Sequence, residues 1–241
     1  MSADAAWLTF ASCIVFVGAL VQGSIGFGLS LVAVPFLVMI DPAFVPGPLL
    51  MGGATLTLLM TIRDRAALDL PGLGWSTGGR IVGSAVGAAA LVALPTRELI
   101  LGIGALVLIA VALSVSGLHL RPTARVLLGA GVLSGFMGTT ATIGGPPLAL
   151  AYQDSKGDRL RGSLSGNLFV GAVVSLVAVI AVGRFGGAEL RAACVLLPGV
   201  VIGYLASGPT RRLVDRGYTR PIVLAVSAAG ALALILRELA R

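Results

Sequence analysis

Residues 22–28 read Gln22-Gly23-Ser24-Ile25-Gly26-Phe27-Gly28, in the middle of an apolar run from 5 to 40. As one helix, the 36 residues of that run would reach about 54 Å, against a hydrocarbon core of ~30 Å. The run is too long to cross a bilayer once. Glycine weakens a helix and opens backbone conformations closed to other residues. The stretch therefore predicts two shorter helical pieces folded back on each other, with non-helical backbone between them.

A second overlong run, 124–152, carries the same punctuation: Gly135-Phe136-Met137-Gly138, then Gly144-Gly145-Pro146-Pro147. An offset of 112 maps Gly23 onto Gly135, Gly26 onto Gly138 and Pro35 onto Pro147. An offset of 113 maps Gly53 onto Gly166, and one of 120 maps Gly79 onto Gly199 and Gly83 onto Gly203. The offset grows as loop insertions require. The chain reads as two related halves, 1–119 and 120–241. Six further apolar segments, 43–62, 71–94, 99–119, 163–183, 190–209 and 221–236, are mostly long enough to cross as helix. The expected fold is an all-α polytopic membrane protein of eight apolar segments, the first and fifth broken or re-entrant.

Composition agrees. Of 241 residues, 57% are hydrophobic and 11% charged, and the mean hydropathy is +1.02. A soluble domain cannot bury that much apolar surface, which excludes a soluble enzyme, a disordered chain and a disulfide scaffold. The net charge of +7 sits mostly at segment ends without interleaved aromatics, so it suits anionic lipid headgroups and not nucleic acid. Cys13 and Cys194 form no CxxC and read as small packing residues. The N-terminus lacks the basic region of a cleavable signal peptide.

Positive charge orients the chain. With Arg80 set aside, if every segment crosses once the two sides carry equal numbers of Lys and Arg. If the two long segments return to their starting side, one side holds Arg63, Arg65, Arg121, Arg125, Lys156, Arg159, Arg161, Arg211, Arg212, Arg216 and Arg220. The other holds Arg97, Arg184, Arg191, Arg237 and Arg241. That bias predicts inverted halves with both termini outside the cytoplasm.

Broken helices at matching positions of inverted halves are the sequence mark of a transporter site. Unwound backbone at membrane depth must line a cavity or be buried in protein. Helix N-termini beside it present unpaired N–H groups, which suit an anion. The candidate substrate-binding residues at the first break are Gln22, Gly23, Ser24, Gly26 and Gly28, with Ser30 beside them. At the second they are Gly138, Thr139, Thr140, Thr142, Gly144 and Gly145. Arg80 lies about 13 Å inside its span, where a charge costs on the order of 3 kcal/mol; it reads as a countercharge or as a backbone-bonded arginine. Its repeat counterpart is Val200. Asn167 is a further buried polar candidate, and Ser134 is the repeat counterpart of Gln22. Gly79, Gly83 and Gly87 read as close helix packing.

All ten acidic residues and His119 fall in loops or at segment ends. No intramembrane acid or histidine is available as proton relay, general base or metal ligand. The chain reads as no enzyme, with no cofactor and no metal. Gly131-Val132-Leu133-Ser134-Gly135 lacks a histidine to activate its serine and reads as packing.

The chain resembles the TauE/SafE sulfite-exporter family. The resemblance rests on Gly18-Ala19-Leu20-Val21-Gln22-Gly23-Ser24-Ile25-Gly26-Phe27-Gly28 running to Pro35, and on Gly135-Phe136-Met137-Gly138-Thr139-Thr140-Ala141-Thr142-Ile143-Gly144-Gly145-Pro146-Pro147. It covers nearly the whole chain. It implies a multi-pass permease of the bacterial inner, or plasma, membrane for sulfite, organosulfonates, related sulfur anions or organic acids, with the substrate path at the glycine-rich breaks. Phe27-Gly28-Leu29-Ser30 has fewer glycines than the family's first motif, and Thr139-Thr140 stand where glycine is expected. Cysteine pairs able to transfer sulfur covalently are absent, which favours non-covalent recognition.

The expected function is a transporter of small anions by alternating access around the two breaks, in a lipid bilayer. An anion channel and a permease for small organic carboxylates are the alternatives. Homo-oligomerisation is left open.

Overall fold

The breaks divide a chain that is otherwise helical. A computed structural model describes residues 3–118, 120–153, 157–214 and 219–241; His119, Asp154, Lys156, Asp215 and Arg216 lie outside the described residues. Ten α-helices follow in order: α1 (Ala3–Ile25), α2 (Leu29–Ile40), α3 (Gly47–Asp64), α4 (Leu70–Ala93), α5 (Thr96–Val115), α6 (Ala124–Ala141), α7 (Gly145–Ala151), α8 (Gly157–Ala181), α9 (Gly187–Val214) and α10 (Thr219–Leu239).

Both overlong runs are split. α1 ends as Gly26 N–H bonds the Gln22 carbonyl at 2.8 Å. Gly26 and Gly28 then take φ of 100° and 132°, a region that a Cβ disfavours. In the second run Thr142 caps α6 at φ 60°. Its N–H reaches Gly138 O at 2.9 Å, and Ile143 N–H reaches back to Met137 O at 3.1 Å. This satisfies carbonyls that the end of a helix would otherwise orphan. Pro146 and Pro147 enter the first turn of α7, where a missing N–H breaks no helical bond.

Seven helices among the described residues are long and apolar enough to cross a membrane, one fewer than the eight segments expected. α2 is a shorter apolar helix. α4 has the length but is diluted by Arg80, its serines and its glycines. Its outer face is nevertheless apolar: Trp75, Ile81, Val82, Val86 and Val92 are exposed, while Ser76, Arg80 and Ser84 are buried. Large exposed apolar side chains such as Phe10, Val177, Ile202 and Leu236 suit lipid as the solvent. Cys13 and Cys194 are exposed too. That corrects their reading as packing residues, because each stands on the outward side of its helix.

Glycine sets the helix pairing. α4 and α6 approach so closely that a Cβ at Gly79 or Gly83 would collide with the carbonyl of Leu128 or Val132. One at Gly131 or Gly135 would collide with the Ser76 or Arg80 carbonyl. α1 and α9 meet the same way, with Gly199 on Ser12 and Gly203 on Phe16. The small-residue stripe of α4 is therefore packing, and Gly87 continues it against Thr139. α3 meets α9 at Gly52 and Val200 and at Leu59, whose carbonyl accepts Tyr204 Oη at 3.1 Å. α3 meets α8 at Asp64 and Gly162, and Leu50 shares a cluster with Val179. α5 and α10 meet at Arg97 and Glu238, and at Ser114 and Arg220.

Candidate functional site

Both breaks open onto one cavity of about 50 Å³, enough for a few waters or one small oxoanion. Of the residues singled out from sequence, Gln22 and Gly28 line it from the first break. Gly138, Thr142, Gly144 and Gly145 line it from the second, and Arg80 from α4. Residues some 120 apart in sequence are thus brought within one small volume.

Arg80 is 3% exposed. The α4 backbone delivers it between α6 and α8, and glycines make the room. A Cβ at Gly171 or Gly144 would collide with its guanidinium, and one at Gly138 would stand 3.1 Å from Nη2. Its hydrogen bond runs from Nη1 to the Asn167 carbonyl at 3.3 Å. Its Nε is buried without a partner. Among the described residues no carboxylate pairs with it. A buried cation without a counterion is strongly disfavoured unless an anion or polar groups surround it.

The first break adds donors. Gln22 Oε1 accepts the Leu29 N–H at 2.9 Å, which turns its Nε2 away as a donor. Val32 N–H is taken by the Gly28 carbonyl at 3.1 Å. Ser30 and Leu31, between them in the first turn of α2, line the cavity, and their N–H groups belong to the set a helix cannot satisfy itself. The second break is closed differently: Ser134 Oγ donates to the Gly144 carbonyl.

Six predicted residues lie outside the lining. Gly23 packs on Ser207 and Tyr204, and Gly26 lies near Leu164. Ser24 Oγ donates to Leu20 O at 2.8 Å, and Thr140 Oγ1 to Phe136 O at 2.7 Å. Thr139 Oγ1 donates to Ser175 Oγ at 2.9 Å. Asn167 stands behind Arg80: its side chain accepts from Ser76 Oγ and donates from Nδ2 to Ser163 O at 2.8 Å. Its backbone carbonyl accepts from Arg80, and it does not line the cavity.

Sequence reasoning missed Thr57, with Leu49, Leu50 and Gly53 of α3, and Leu168 and Ala172 of α8. It also missed Gly171 beneath the guanidinium. Gly53 bore a signal through its repeat match to Gly166, and Thr57 follows it by one turn. Gly171 bore none.

The arrangement concentrates hydrogen-bond donors and one buried positive charge around a small cavity. It is chemically suited to hold an anion without a covalent step. The family model described as sulfite exporter TauE/SafE matches residues 10–234. No curated protein matches the chain, and no solved structure matches it.

Proposed function

Because the chain belongs to the sulfite exporter TauE/SafE family, a family of membrane transporters, we propose that it is a permease for small anions, sulfite or a related sulfur anion foremost. The observation that carries this is the unneutralised Arg80 in a cavity lined by both helix breaks. Gln22 Nε2 and the first turn of α2 supply donors to the bound anion. Transport proceeds by rocking one half against the other about the breaks.

Inverted halves, 1–119 and 120–241, underlie that motion in this reading, and the helix contacts support it. Contacts ascend together between α1 and α9 (Ser12 with Gly199, Phe16 with Gly203). They ascend together between α3 and α9, and between α4 and α6. They also ascend between α4 and α8, from Ser76 with Asn167 to Ser84 with Ser175. They oppose between α3 and α8 and between α5 and α10. By these senses each of α1, α3, α4 and α5 runs against its repeat counterpart α6, α8, α9 and α10. Arg63 Nη2 donates to Gly23 O at 3.3 Å, so α1 and α3 end together. As they run the same way, α2 between them returns toward their common start.

The test is flux in proteoliposomes against sulfite, sulfate, thiosulfate, sulfonates and simple carboxylates. Saturable flux of a sulfur anion is expected. Preference for carboxylates reassigns the substrate, non-saturating conductance makes the protein a channel, and no flux of any anion overturns the reading.

A further inference from the structure

The cavity also bears on the charge state of its ligand. We propose that the carried species is a singly charged oxoanion bearing one O–H, bisulfite and not the sulfite dianion; this rests on the anion-permease reading above.

Charge comes first. Among the described residues, Arg80 is the one titratable side chain that lines the cavity. The other elements face it with Gln22 from α1, Ser30 from α2, Thr57 from α3, Gly138 from α6, Gly145 from α7 and Ala172 from α8. Arg63 and Asp64, at the end of α3, pair with each other at 3.1 Å and do not line it. Arg161, at the start of α8, does not line it either. A monoanion neutralises the buried guanidinium. A dianion leaves a net negative charge beside the buried guanidinium, with no second cation lining the cavity to offset it.

Hydrogen bonding points the same way. Thr57 Oγ1 donates to Gly53 O at 2.7 Å, and Thr142 Oγ1 to Ala141 O at 2.6 Å. Both residues line the cavity. With their protons committed to backbone, these hydroxyls offer lone pairs to a ligand. A fully deprotonated oxoanion has nothing to give them. Bisulfite has one O–H to donate, and its remaining oxygens accept from Arg80, Gln22 and the first turn of α2.

The experiment measures flux into proteoliposomes of the full chain across neutral pH, with protein-free vesicles subtracted. Chlorate serves as a permanent monoanion of sulfite's pyramidal shape without an O–H, and sulfate as a dianion. At constant total sulfite, flux is expected to fall with rising pH in proportion to the bisulfite fraction. Chlorate flux stays flat, and sulfate flux is roughly tenfold lower or less than that of chlorate. Thr57→Val lowers bisulfite flux roughly threefold to tenfold relative to chlorate, and Thr57→Ser restores it. Sulfite flux that tracks the dianion, chlorate flux with the same pH profile as sulfite, sulfate carried as fast as chlorate, or equal losses of bisulfite and chlorate in Thr57→Val each overturn the proposal and leave the permease standing. No flux of any anion overturns both.

Discussion

Gln22 Oε1 holds the Leu29 N–H at 2.9 Å across the first helix break. One repeat offset later, Ser134 Oγ bonds the Gly144 carbonyl across the second. The two breaks are thus closed with opposite polarity, one side chain accepting and the other donating. The acceptor in the first half leaves an amide N–H₂ free to donate into the cavity. That difference, with Arg80 lining the cavity from α4, makes the two sides of the cavity chemically unlike.

Removing the Gln22 acceptor orphans a buried backbone N–H. Gln22→Met is expected to destabilise the protein by about 1–3 kcal/mol and to lower anion flux. Thermal unfolding in detergent reads the first and vesicle flux the second. An unchanged melting temperature refutes the staple.

Arg80 separates stability from function. Replacing a buried, unpaired charge by an apolar side chain of similar length is neutral or stabilising. Arg80→Met is therefore expected to melt no lower than the parent while losing anion flux, and Arg80→Lys to retain part of it. A strongly destabilised Arg80→Met with intact flux assigns the arginine a structural role.

Two glycines of α4 make a matched pair. A Cβ at Gly74 meets nothing within 4 Å, whereas one at Gly79 runs into the backbone of α6. Gly74→Ala is expected to stabilise by about 0.5–1 kcal/mol through helix propensity. Gly79→Ala is expected to destabilise by about 1–3 kcal/mol or more through overpacking. Equal effects in unfolding assays sink the close-packing account of this stripe.

Orientation is open to thiol labelling. With Cys13 and Cys194 replaced by serine, cysteines at Ser2 and Arg241 are expected to react with an impermeant reagent added outside intact cells. Protection of both until lysis rejects the external placement of the termini.

Much of the frame was legible because its causes are local. A run longer than the hydrocarbon core must bend or return, and glycine at positive φ marks where, as at Gly26 and Gly28. Arg80 stood out because one charge in an apolar segment is costly wherever the helix packs. The hydroxyls were harder. Ser24, Thr139 and Thr140 stand beside the breaks, yet two of them return their protons to the preceding turn, as short hydroxyl side chains in helices do, and Thr139 bonds a serine of α8. The segment 71–94 forms the helix α4, whose apolar character is diluted by Arg80, its serines and the glycines that fit it to α6.

Sequence by itself determined the solvent, the two breaks and the charge in the middle of an apolar segment, since hydropathy, length and backbone freedom are properties of single segments. Tertiary structure alone decided that Arg80 shares one cavity with both breaks, that Gly171 makes room for it and that Thr57 lines the same space. It also decided which donors remain free. A hydrogen-bonding group spends its capacity on whichever partner packing brings nearest, and those partners come from helices far away in the chain.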